Sequence, residues 1–113
     1  MNDAANENQL ACIEACHACA ALCERLAAKC LQSPEPAKFL RCMGLLRNCA
    51  DVCLLTARLA AQESEFIVEY AALCAEVCNA CSEECLTHAG VESFRQCATA
   101  CLRCDQACQR MAV

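Results

Sequence analysis

Residues 12–23 read CIEACHACAALC, which spaces the cysteines as Cys12-x3-Cys16-x2-Cys19-x3-Cys23. The same spacing returns at Cys74, Cys78, Cys81 and Cys85, and again at Cys97, Cys101, Cys104 and Cys108. A fourth stretch carries Cys42, Cys49 and Cys53, with Leu46 at the step where a further cysteine would fall. Alternating steps of four and three keep side chains on one stripe of an α-helix, which turns once every ~3.6 residues. Soluble bundles ordinarily fill that stripe with large aliphatic residues. Thiols fill it here, so the core itself is the candidate functional site.

The charged residues test the helical reading independently. Glu14, Arg25, Asp51, Glu76, Glu83, Arg103 and Arg110 each lie two residues past a cysteine. Two residues turn a side chain by about 200°, to the far side of the helix. Cysteine is therefore expected inside and charge outside. The expected fold is all-α: one antiparallel up-down-up-down four-helix bundle over residues 1–113 with a cysteine-lined core. Its helices are expected at about 8–31, 34–61, 64–88 and 92–112. Ser33 with Pro34, Ser64, and Ser93 with Gln96 supply start signals, and Gly90 a stop. Leu22, Leu26, Leu45, Leu55, Leu73 and Val77 are expected as outer core residues.

Sixteen cysteines in 113 residues would suit a disulfide scaffold, but there are only two glycines and two prolines, too few for a loop-rich one. The opening residues, Met1 to Asn8, are polar and acidic and show no leader pattern. The expectation is a cytoplasmic protein with reduced thiols. No apolar run reaches the ~18 residues of a membrane span. The formal net charge of −5 has no basic stripe for nucleic acid, and with no tryptophan and one tyrosine there is no platform for stacking bases. No Ser/His/Asp set, phosphate loop or isolated carboxylate pair stands out, so no enzyme is expected.

Helix residues four apart have neighbouring side chains. Seven Cys-x3-Cys pairs follow: 12/16, 19/23, 49/53, 74/78, 81/85, 97/101 and 104/108. Cys30 and Cys42 remain, one on each side of the proline joint. Soft thiolates select Cu(I), zinc or iron–sulfur clusters. Zinc takes four ligands, whereas a stripe offers two at a time along a line, which suits Cu(I). Charge adds a second argument. Two thiolates around one Cu(I) carry −1, and burying net charge is costly. Thiolates that bridge copper ions bring the ratio toward one copper per thiolate, which is neutral. The cofactor reading is multiple Cu(I) ions, and sixteen thiols imply storage.

The three Cys-x3-Cys-x2-Cys-x3-Cys runs and the degenerate Cys42…Cys49-x3-Cys53 helix resemble the bacterial four-helix-bundle copper storage proteins, over residues 8 to 112. The absent leader makes the chain similar to their cytosolic branch. The resemblance implies Cu(I) held by core Cys-x3-Cys pairs, bridging thiolates, and a few His or Met ligands near one open end. It also implies a homo-oligomer, commonly a tetramer. A cytosolic copper donor or acceptor is the expected partner.

Two other readings stay open: a metallothionein-like zinc or mixed-metal buffer, and a disulfide-linked structural bundle. His88 falls on the third stripe, three residues after Cys85, and is either a ligand or a cation at a helix end. Met43, beside Cys42, is either a thioether ligand or core filler. Met111 continues the fourth stripe at the other end, and His17 is read as a surface or inter-helix residue. Phe39 and Phe94 are expected to lid the His88 end, and Phe66, Ile67 and Tyr70 to plug the opposite one. Copper is expected to arrive at the His88 end.

Overall fold

The computed structural model describes residues 3–112. Four α-helices run in order: α1, Asp3–Leu31; α2, Leu40–Ala61; α3, Ile67–Leu86; and α4, Glu92–Met111. A 3₁₀ turn, Pro36–Phe39, precedes α2. The expected up-down-up-down bundle is present. Each helix packs on two neighbours, α1 on α2 and α4, and α3 on α2 and α4. Antiparallel register is visible in the sulfurs: Cys23 meets Cys97, Cys19 meets Cys101, and Cys16 meets Cys104. The result is a rod of 52 × 20 × 17 Å.

The alternation of buried and exposed positions follows the stripe. All sixteen cysteines are buried, and alanines such as Ala20, Ala50, Ala57, Ala98 and Ala107 fill the spaces between helices. Small side chains let the helices approach closely, which narrows the core until sulfurs from different helices touch. The seven charges two residues past a cysteine are all exposed. Leu26 is buried, and Leu22, Leu45 and Val77 pack half-buried against the core. Leu55 and Leu73 do not join it and are 41% and 44% exposed. A core this thin has no second layer in which to hold them.

Several helix ends differ from the sequence expectation. Helix α1 starts at Asp3 rather than near Asn8. Helix α2 starts at Leu40, not at Pro34: the Ser33 hydroxyl accepts a bond from the Glu35 N–H, and Pro36 opens the 3₁₀ turn instead. Helix α3 starts at Ile67, because the Ser64 hydroxyl binds the Phe66 N–H and forms a local turn ahead of it. The Ser93–Gln96 capping box is absent. Helix α4 begins at Glu92 without that box, and the Gln96 amide donates to the Glu92 carboxylate. Helix α3 ends at Leu86, and Gly90 is not in the left-handed region. The turn after α3 is held instead by the Arg95 guanidinium donating to the Ala89 carbonyl.

The left-handed stop lies after α2. Glu63 has φ 53°, its N–H donates to the Ala60 carbonyl, and the Ser64 N–H reaches back to the Leu59 carbonyl. This is a Schellman ending with glutamate where glycine is usual. Glu63→Gly is expected to stabilise the metal-free protein by about 1 kcal/mol in chemical denaturation, by removing left-handed strain at Cβ. The metal-free protein is expected to give a strongly helical circular dichroism spectrum, because α1–α4 bury apolar cysteine and alanine without help from an ion.

Candidate metal centre

The stripes of all four helices converge on one axis. Sulfur–sulfur distances between helices are 3.7 Å for Cys19–Cys49, 3.7 Å for Cys49–Cys78, 3.6 Å for Cys53–Cys104 and 3.6 Å for Cys16–Cys104. Within helices, Cys19–Cys23, Cys49–Cys53 and Cys104–Cys108 lie at 3.9 Å, and Cys74–Cys78 at 4.0 Å. All sixteen thiols are free. These separations are far longer than a disulfide bond of ~2.05 Å.

The sulfurs gather into overlapping sets whose members all lie within 4.8 Å of one another: Cys16, Cys53, Cys74, Cys104; then Cys19, Cys53, Cys78, Cys104; then Cys19, Cys23, Cys49, Cys101; and a trio, Cys12, Cys16, Cys108. Ligands are therefore not offered two at a time along a line, as the isolated stripe suggested. Closing the bundle brings opposed stripes together and turns pairs into quartets. A tetrahedron of zinc–sulfur bonds near 2.3 Å has edges of about 3.8 Å, so distances alone admit zinc.

Charge decides. Zinc in four thiolates carries −2, and no lysine, arginine or histidine is buried among the described residues to offset it. Cys19, Cys53 and Cys104 each belong to two quartets, so adjacent zinc sites would compete for the same sulfur. Shared sulfurs are what bridging Cu(I) requires. One copper per thiolate leaves the core uncharged.

The thiols shift one another's acidity. Hydrogen bonding with Cys108 and Cys16 lowers the pKa of the Cys104 thiol, and bonding with the same two lowers that of Cys12. Their partners move the opposite way: bonds with Cys104, Cys16, Cys19 and Cys49, together with burial, hold the Cys53 proton firmly. Burial, then repulsion from Cys42 and Cys97, pushes Cys30 up to about 11.

One end of the rod collects different chemistry. His88 lies in the turn past α3, its N–H bonded to the Cys85 carbonyl. Its ring packs edge-on against Phe39 at 5.0 Å and beside Phe94 at 4.9 Å, and the two phenylalanines lie 5.6 Å apart. The expected aromatic lid is there, with the imidazole as its third member. The Glu84 carboxylate sits 3.6 Å from His88 Nε2 and 3.0 Å from Arg41 Nε, and Thr87 Oγ1 also donates to Glu84. Sequence reading missed Glu84, although its place four residues before His88 is a readable helix-surface spacing. Arg41 comes from another helix and had no local signal. Met43 is half-buried against the core, and His17 is exposed. A cleft of about 240 Å³ beside Phe39 and Phe94 reaches Cys30.

The opposite end is closed differently from expectation. Phe66 and Tyr70 are 56% and 36% exposed and do not plug it. Buried Thr56, Ala60 and Ala71 take the inner positions, with Ile67 and Met111 packed half-buried around them. The Gln9 amide donates to the Ala60 carbonyl across α1 and α2. The stripe positions there belong to small residues, and the rings of Phe66 and Tyr70 fall off the stripe.

The sequence profile of the copper storage protein family matches residues 5–113. The chain belongs to this family. A cytosolic copper storage protein from Streptomyces lividans, loaded with five coppers, superposes with a TM-score of 0.94 at 37% identity, covering 98% of this chain and 97% of that one. The Cu(I)-bound copper storage protein from Bacillus subtilis gives 0.88 at 38% identity, covering 94% and 99%. An uncharacterised cysteine-rich protein of Bacillus subtilis, YhjQ, is 39% identical over 102 residues, 90% of this chain and 94% of that protein.

Cys30 contributes to the pH response of the metal-free core. Its thiol ionises near 9 when unhindered and near 11 in the fold. The folded state therefore holds this proton more tightly than the unfolded state. The stability so contributed is full below pH 9 and is lost as pH rises through 11. Denaturation of the metal-free protein is expected to require less urea as pH climbs across that window, and Cys30→Ala to flatten the dependence.

Proposed function

We propose that this chain stores Cu(I) in the cytoplasm, taking many ions into its thiol core and keeping them from redox cycling. The observation that carries the reading is the set of overlapping sulfur quartets in a core that, among the described residues, holds no buried cation. Membership of the copper storage family and its Cu(I)-bound and copper-loaded structural relatives support it. The ligands are the sixteen cysteines, with His88 and Met43 as accessory ligands at the aromatic end. The role is storage rather than catalysis. All the cysteines belong to one bundle, and a homo-oligomer, a tetramer on the family likeness, is its working form. Among the described residues no helix is long and apolar enough to cross a membrane.

Admission at the His88 end follows from exchange chemistry. An imidazole and a thioether bind Cu(I) and release it more readily than a buried thiolate pair. The cleft beside Phe39 and Phe94 gives that end an opening toward Cys30.

Anaerobic titration with Cu(I) against a chromophoric chelator tests the storage reading. Uptake is expected to continue beyond about eight equivalents toward one per cysteine, as neutrality requires. Saturation at one to four equivalents would instead mark a courier or a discrete site. Cu(I) is expected to displace zinc from the core completely. Tetrahedral zinc sites that resist Cu(I) would place the protein with the metallothionein-like buffers. Replacing His88 by alanine and Met43 by leucine together is expected to slow loading while changing capacity by at most about two ions, the number of ligands removed. Wild-type exchange in that variant, with slowed exchange in a Met111 variant, would put the opening at the other end.

A further inference from the structure

The column of thiols is not continuous on every helix. On α1 the stripe between Cys23 and Cys30 is filled by Leu26 and Ala27, both buried. On α2 the stripe between Cys42 and Cys49 is filled by Leu46, which is fully buried. The two gaps are staggered and overlap only in part: α1 and α2 are antiparallel and Cys19 meets Cys49, so Leu46 lies near the level of Cys23 and Leu26 near that of Cys42. Seven residues of helix span about 10.5 Å, too far for one copper to touch the sulfurs at both ends of a gap. Neither α1 nor α2 therefore carries a thiol between its mouth cysteine and its inner ones.

Helices α3 and α4 are lined with sulfur. Cys85 interacts with Cys42 at the mouth and with Cys81 and Cys97 further in. Cys97 lies 3.7 Å from Cys23, and Cys81 interacts with Cys101 and Cys23. Cys23 and Cys101 belong to the first sulfur quartet of the inner store, whereas Cys81 and Cys97 belong to none.

We propose that Cys81 and Cys97 are the transfer ligands through which copper admitted at the His88 end passes from the mouth thiols to the inner store. The proposal rests on admission at that end. Each hop is a ligand exchange at Cu(I). A copper–sulfur bond forms to the incoming thiol, one to the outgoing sulfur breaks, the displaced proton moves to the sulfur left behind, and copper keeps its oxidation state. Leu46 makes the route one-sided, since a thiol in its place would bridge Cys42 and Cys49 in single helical turns.

The test is anaerobic stopped-flow loading with Cu(I) supplied as its bathocuproine disulfonate complex. Cys81→Ala/Cys97→Ala is compared with Cys12→Ala/Cys108→Ala, which removes as many ligands at the far end. The α3/α4 variant is expected to fill its inner sites about tenfold more slowly than the far-end variant. Adding Leu46→Cys to it is expected to recover most of the rate. In the metal-free proteins, Leu46→Cys is expected to show one more thiol by Ellman titration and a helical spectrum like the parent's, which checks folding without copper. Equal filling rates in the two paired variants, or no recovery with Leu46→Cys, would overturn the route. Slower filling in the far-end variant would instead overturn admission at the His88 end.

Discussion

A column of thiols buried without a counter-charge is the constraint on which the rest of the structure depends. The metal-free core tolerates the cysteines because a protonated thiol is a small apolar group. Any ion that enters must expel protons and leave the core close to neutral, or the desolvation cost falls on the fold. That condition favours a monovalent, soft, low-coordinate ion shared between sulfurs. The alanines enforce it from outside. By drawing the helices together they bring sulfurs from three or four helices within 4.8 Å, so neighbouring sites share ligands.

Most of this was legible in the sequence, because a stripe is a local property. The steps of four and three located the buried face of every helix, and the charges two residues past a cysteine located the exposed one. The ends were less legible. Ser33 and Ser64 carry the right side chains for caps, but each spends its hydroxyl on a local turn. Glu63 holds a left-handed position that nothing in its side chain announces, while Gly90, the evident candidate, does not. The quartets were illegible for a different reason: one helix presents pairs, and only the packing of opposed stripes makes four.

The two ends of the rod show what the sulfur column needs besides sulfur. At the His88 end an imidazole packs against two phenylalanines and lies 3.6 Å from a carboxylate that Arg41 also holds. Polar and aromatic groups there form the boundary of the column. At the far end small buried residues, Thr56, Ala60 and Ala71, close the core, and the Gln9 amide ties α1 to the Ala60 carbonyl of α2. The asymmetry follows from where each stripe runs out. Phe39 and Phe94 lie on their stripes and turn inward, whereas Phe66 and Tyr70 lie off theirs and face solvent.

The central claim is that neutrality drives copper into shared-sulfur clusters rather than separate sites. X-ray absorption at the copper edge of the fully loaded protein tests it most directly. The account predicts a first shell made almost wholly of sulfur and a clear copper–copper scattering contribution from ions bridged by one thiolate. A sulfur shell of two ligands per copper with no copper neighbour would contradict it, because isolated dithiolate sites would then carry their charge uncompensated in the core.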